Sequence, residues 1–193
     1  MRRPVDLSHA CRLLNHGPTV LVSAAHEGRR NVMAAAWSMP VEFTPPRIAV
    51  VIDKSTYTRE LVLASGCFAL SVPGRALADL TFSVGSLSGR ALCAAGSDKF
   101  ARFGIATHAG PVLGLPLASD AVAWLECRRI AEPHAEAAYD TVFGEVVSAA
   151  ADDRVFRDGR WHFGDDNAAL HTLHHLGGGR FAVAAQTVQA RVL

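Results

Sequence analysis

The chain has 193 residues, half of them apolar and 19% charged, with a formal net charge of +1. That length suits one domain, residues 1–193, able to bury a core without disulfides or a structural metal. The near-neutral charge excludes the basic footprint of a nucleic-acid or anionic-membrane binder.

The basic start "MRR" is followed by Asp6, His9, Arg12, Asn15 and Pro18, which interrupt any apolar signal segment. No stretch attains the about eighteen apolar residues of a membrane helix. Cys11, Cys67, Cys93 and Cys127 stand far apart with no C-x-x-C pair, a pattern of reduced packing thiols, so a cytoplasmic protein is expected. "TVLVSAAHEGRRNVMAAAW" reads as two strands turning at Glu27 and Gly28, where glycine supplies the positive φ of a hairpin. "TPPRIAVVID" is a third strand entered through two prolines. In "KSTYTRELVLASG", Ser55 or Thr56 caps a short helix that Gly66 stops, and "CFALSV" follows as a buried strand. "GRALADLTFSVG" and "GSDKFARFG" read as short helices separated by a loop, "SLSGRALCAA". "DAVAWLECRRIAE" and "YDTVFGEVVSAAA" are long strands, and "VFRDGRWHF" is a hairpin turning at Asp158 and Gly159. Six or more strands, short helices and no βαβ alternation predict a mainly β fold, a barrel or sandwich with helical decorations.

A small-residue strand, an aromatic, "PP", a buried strand and then "KSTYT" capping a helix together resemble the flavin reductase-like domain family, of flavoredoxin and flavin reductase type. Its fold is the FMN-binding split barrel, a β-barrel with short helices. "GSDKF", "FGEV" and "HHLGGGRF" resemble further elements of that family, and the likeness spans Gly17 to Phe181. The resemblance implies that "NVMAAAWSMPVEFTPP" packs under an isoalloxazine ring and that "DKSTYT" reaches a ribityl phosphate. It also implies FMN or FAD held non-covalently, reduced by NADH or NADPH and reoxidised by free flavin, iron or a partner oxygenase, in a homodimer with the flavin near the interface. The cofactor then carries the chemistry, and no general base is expected.

The residue types agree with that picture. Ala34, Ala35 and Ala36 keep side chains away from a flat ring, while Met33 and Trp37 offer apolar contact and Asn31 and Ser38 complete the ring set. The same alanines also suit the crowded taper of a barrel interior. Lys54 brings charge, Ser55, Thr56 and Thr58 bring hydroxyls, and the first helical turn brings free N–H groups, together an anion-binding corner or simply a capped helix. Lys99 adds a second cation or marks an exposed helix start.

In "HTLHHL", a helix would place His171 and His175 on one face at zinc-like spacing, with His174 beside them, but no third ligand is evident, and packing over the flavin or a second subunit is the plainer role. Many members of the family carry histidine a few residues before the late glycine. Tyr139 stands there in this chain, which favours an alternative reading as a flavin carrier without efficient nicotinamide oxidation. "GGG" at 177–179 lacks the dinucleotide spacing, "GSLSG" lacks that of a nucleophile elbow, and Cys93 reads as packing.

Overall fold

The computed structural model describes residues 1–14 and 17–192. A short strand β1 (Arg2–Pro4) and helix α1 (Leu7–Ala10) precede a hairpin of β2 (Val20–His26) and β3 (Arg29–Ala35). The hairpin turns at Glu27 (φ 48°) and Gly28 (φ 75°), where the sequence places it. A second hairpin, β4 (Ser38–Glu42) and β5 (Arg47–Val51), leads to α2 (Tyr57–Ser65), capped by Thr56 and stopped by Gly66 in the left-handed region. Then come β6 (Cys67–Val72), α3 (Ala78–Gly85), α4 (Gly89–Ala94) and α5 (Lys99–Arg102). Two three-residue strands, β7 (Thr107–Ala109) and β8 (Pro116–Ala118), precede β9 (Ala123–Ile130), α6 (Pro133–Tyr139) and the long β10 (Thr141–Asp152). Small hairpins close the chain: β11 (Phe156–Arg157) with β12 (Arg160–Trp161), and β13 (Leu173–Gly177) with β14 (Arg180–Val183).

Eight strands form one antiparallel sheet in the order β3-β2-β6-β9-β10-β5-β4, with β1 added along β10. Alternate residues of β2, β5, β6, β9 and β10 point into one interior, where Val22, Ile48, Phe68, Leu70, Leu125 and Val142 are buried. A curled sheet with a filled inside is a barrel, one of the two architectures, barrel or sandwich, that the strand pattern leaves open. Gly144, in the "FGEV" stretch, faces that interior: a Cβ there would stand 2.6 Å from the Phe68 ring. On the outer face, Val32, Val84, Phe100, Leu117 and Trp124 form a second apolar layer beneath α3, α5 and the β7–β8 excursion. Polar outer-face residues tie that excursion down. Ser23 Oγ donates to Pro116 O at 2.6 Å, and the Glu126 carboxylate accepts the N–H groups of Val112 and Leu113 at 2.9 and 2.8 Å. No helix among the described residues is long and apolar enough to cross a membrane.

Three segments depart from the sequence reading. "SLSGRALCAA" is not all loop, because Gly89–Ala94 forms α4, capped by Ser88 through Arg90 N–H. β4 exists although Pro40 lies inside it, which an edge strand tolerates because it has a free hydrogen-bonding side. The histidine-rich tail is a β-hairpin, so His174 and His175 alternate in direction and the helical spacing of His171 and His175 never arises. His171 is buried, its Nε2 2.9 Å from Gly164 O and 2.8 Å from Asn167 Oδ1.

Candidate functional site

The N-terminus of α2 is built locally. Asp53 accepts bonds from the Ser55 N–H at 2.8 Å and the Ser55 hydroxyl at 2.6 Å, and Thr56 Oγ1 donates to Asp53 O at 2.8 Å while accepting the Arg59 N–H at 3.3 Å. Those bonds fix the first turn, so its free N–H groups face one direction. Deeper, fully buried Thr58 receives a 2.9 Å bond from Asn31 Nδ2 on β3. Asn31 is 2% exposed, and its Oδ1 has no hydrogen-bond partner among the described residues.

Lys99 opens α5 and is 3% exposed. Its Nζ donates to Val84 O at 2.8 Å, no carboxylate pairs with it among the described residues, and burial pushes its pKa down to about 8. The helix that carries it is held by Asp98, which accepts the Ala101 N–H at 2.7 Å and pairs with Arg30 at 2.7 Å. Burial opposes ionisation of Asp98, but those bonds outweigh it and hold the carboxyl below its ordinary value.

These groups meet in one cleft of about 260 Å³, lined by Asn31, Met33, Ala34, Ser55, Thr56, Thr58 and Lys99, with the Gly85–Gly89 segment as its far wall. Ala34, Gly85 and Ser86 also line an adjoining cleft of about 230 Å³, floored by Ala35 and Ala36 and walled by Phe82, His175 and Phe181. Ala36 in turn borders a third hollow of about 240 Å³ with Trp37, Ser38, Met39 and Thr141. The three lie in series as a groove along the end of β3, the first two joined through Ala34, Gly85 and Ser86 and the last two meeting at Ala36. Its first section offers a buried cation, hydroxyls and a helix N-terminus. Its middle section is small and apolar, and its last section contains the buried Ser38 Oγ, which has no hydrogen-bond partner among the described residues.

Of the residues singled out in the sequence, Asn31, Met33, Ala34, Ala35, Trp37, Ser38, Ser55, Thr56, Thr58 and Lys99 all border this groove. Lys54 does not. Its ammonium turns away to Asp140 Oδ1 at 3.4 Å and Ala137 O at 3.1 Å, because α6 brings a carboxylate within reach of the long side chain. Ala35 also departs in part: it is buried in the barrel interior, so the clearance belongs chiefly to Ala34 and Ala36. Sequence reasoning missed the Ser86–Gly89 wall and the aromatic residues Phe82 and Phe181. The serines flanking Leu87 were the available signal, since Ser88 is a helix cap. Tyr139 is exposed at the end of α6, with His134 edge-on to its ring at 5.6 Å, so an imidazole does stand beside the position where the sequence has tyrosine.

The model of the flavin reductase-like domain matches residues 12–173. YddH of Escherichia coli K12 is 55% identical over 190 residues, 97% of both chains. An FMN-binding domain of a flavin reductase-like enzyme from Shewanella baltica OS155 superposes with a TM-score of 0.92 at 41% identity, covering 99% of this chain and 98% of that one. Flavoredoxin of Desulfovibrio vulgaris (Miyazaki F), at 24% identity and TM-score 0.75 over 90% of both chains, shares the fold.

Proposed function

Since the chain belongs to the flavin reductase-like domain family and has its split-barrel fold, we propose that it is a flavin-dependent oxidoreductase whose groove holds FMN. NADH or NADPH serves as hydride source, and free flavin, iron or a partner oxygenase as acceptor. The FMN-binding domain from Shewanella baltica, at 41% identity, supports the choice of cofactor. The observation that carries the reading is Lys99, a buried ammonium on the groove that, among the described residues, has a carbonyl for its partner and no counter-charge. Burying a charge unpaired is costly, and an anionic ligand relieves that cost.

In this reading Lys99, Thr58 and the first turn of α2 hold the phosphate, and the orphaned Asn31 Oδ1 accepts from a ligand hydroxyl. Ala34 and Ala36 leave a flat approach to the main chain, and Phe82 and Phe181 exclude water from the ring section. Bound FMN would supply hydride acceptance and electron transfer, chemistry that no side chain here provides. The protein's part is orientation and electrostatics. We also propose a homodimer, formed through the exposed apolar residues of β4.

Titration of the purified protein with FMN, followed by quenching of flavin fluorescence, tests the cofactor, and a chain that ignores FMN overturns it. Tyr139 favours the second reading, a flavin carrier. Anaerobic mixing of the FMN-loaded protein with NADH or NADPH decides between them: rapid bleaching supports the reductase, and a flavin that stays yellow for minutes supports the carrier.

A further inference from the structure

In the middle section of the groove each hydroxyl oxygen makes a hydrogen bond, whereas one imidazole makes none among the described residues. Thr81 Oγ1 donates to Leu77 O at 2.8 Å and Ser86 Oγ to Phe82 O at 2.8 Å, while Thr19 Oγ1 accepts the backbone N–H of His175 at 3.1 Å. The His175 imidazole leans on Phe181 across the β13–β14 hairpin, ring centroids 5.4 Å apart, and no hydrogen bond engages its ring nitrogens among the described residues. The hairpin is itself fixed against α3. A Cβ on Gly179 would stand 3.2 Å from the Phe82 ring, so the turn lies flat on that side chain. A largely apolar cleft with a ring donor placed at its wall is how a binding site orients a planar ligand with a polar edge.

We propose that His175 contacts the cofactor, its ring N–H bonding the polar edge of the flavin ring and favouring the reduced form over the oxidised. This rests on the FMN reading above. The electrons gained on reduction enrich the carbonyl and nitrogen edge of the ring, so a donor there binds the reduced flavin more strongly. His175 is exposed and its side chain closes no structural bond, so replacing it leaves the barrel intact.

The test is spectroelectrochemical titration of the FMN-loaded wild type, His175→Ala and His175→Asn, with the affinity for oxidised FMN measured in parallel. His175→Ala is expected to weaken reduced FMN about tenfold more than it weakens oxidised FMN, which lowers the two-electron midpoint potential by about 30 mV. His175→Asn, which keeps an N–H donor, recovers most of that shift. An unchanged potential in His175→Ala overturns the proposal while leaving the cofactor reading in place. Failure of the wild type to take up FMN overturns both.

Discussion

Burying the Lys99 ammonium without a carboxylate costs on the order of 3 kcal/mol while the group stays charged, given a folded pKa of about 8 against the ordinary 10.5. Between those two values the unfolded chain holds a proton that the folded chain has released, so stability rises with pH through that window. Lys99→Met removes the penalty. The ligand-free variant is expected to melt higher than wild type at pH 7, with the alkaline rise in stability flattened, and a lower melting point would contradict an unpaired buried charge. The same substitution weakens FMN by about ten- to a hundredfold, the loss of about 1.5–3 kcal/mol of charge-assisted bonding. In the wild type, FMN affinity holds below pH 8 and declines above it as the free protein loses the Lys99 proton. Lys54 has the same charge and lies just before the cap of α2, and there type alone misleads. Whether a lysine faces a cleft or a carboxylate depends on which element packs beside it, here α6 with Asp140. Lys54→Ala therefore leaves FMN affinity within about twofold of wild type, as expected of a partly exposed ion pair, and fluorescence titration checks it.

Among the elements, α2 was legible in full because cap, apolar face and stop signal all lie within one short stretch: Thr56, Leu61 with Val62, and Gly66. α4 was not, since serine and glycine in "SLSGRALCAA" signal a loop until the packing partner is known. Gly89 begins that helix because Asn31 fills the space beside it: a Cβ would come within 2.0 Å of Asn31 Oδ1. α6 had its signal in Pro133 at the first helical turn, but the strong strand patterns on either side obscured it. β7 and β8, three residues each, carry too little pattern to read. The packing of Gly89 reverses an ordinary expectation. Glycine to alanine within a helix commonly stabilises by about 0.4–1 kcal/mol, whereas Gly89→Ala pushes against an Asn31 amide already committed to Thr58. The variant is expected to lose about 1–3 kcal/mol by urea denaturation, the range of an overpacked core, and to bind FMN more weakly. A gain in stability would show that Asn31 moves aside freely.

At the scale of the molecule, the alanine run marks the seam of the barrel. β3 and β4 lie at opposite ends of the sheet order, yet Ala36 and Trp37 alone separate them in sequence. The chain crosses there from one edge to the other, and all three sections of the groove touch the crossing or the strand end beside it. Small residues at this seam leave the main chain accessible where the sheet does not close, a placement the sequence could suggest only through the order of its motifs. On the β4 side the seam is also apolar: Trp37 and Phe43 are each 73% exposed, with Met39 and Val41 between them. An edge strand that offers both unpaired backbone and a row of large apolar side chains is unstable against association unless something covers it. A second copy meets the need symmetrically, because the same patch is self-complementary across a two-fold axis. The wild type is therefore expected to sediment as a dimer at micromolar concentration. Met39→Lys with Phe43→Glu should sediment as a monomer of unchanged circular dichroism, and FMN affinity should fall with it, because Trp37 serves both the apolar row and the groove. A wild type that sediments as a monomer would remove the dimer and the shared role of Trp37 together, while the Lys99 end of the groove would still bind phosphate on its own terms.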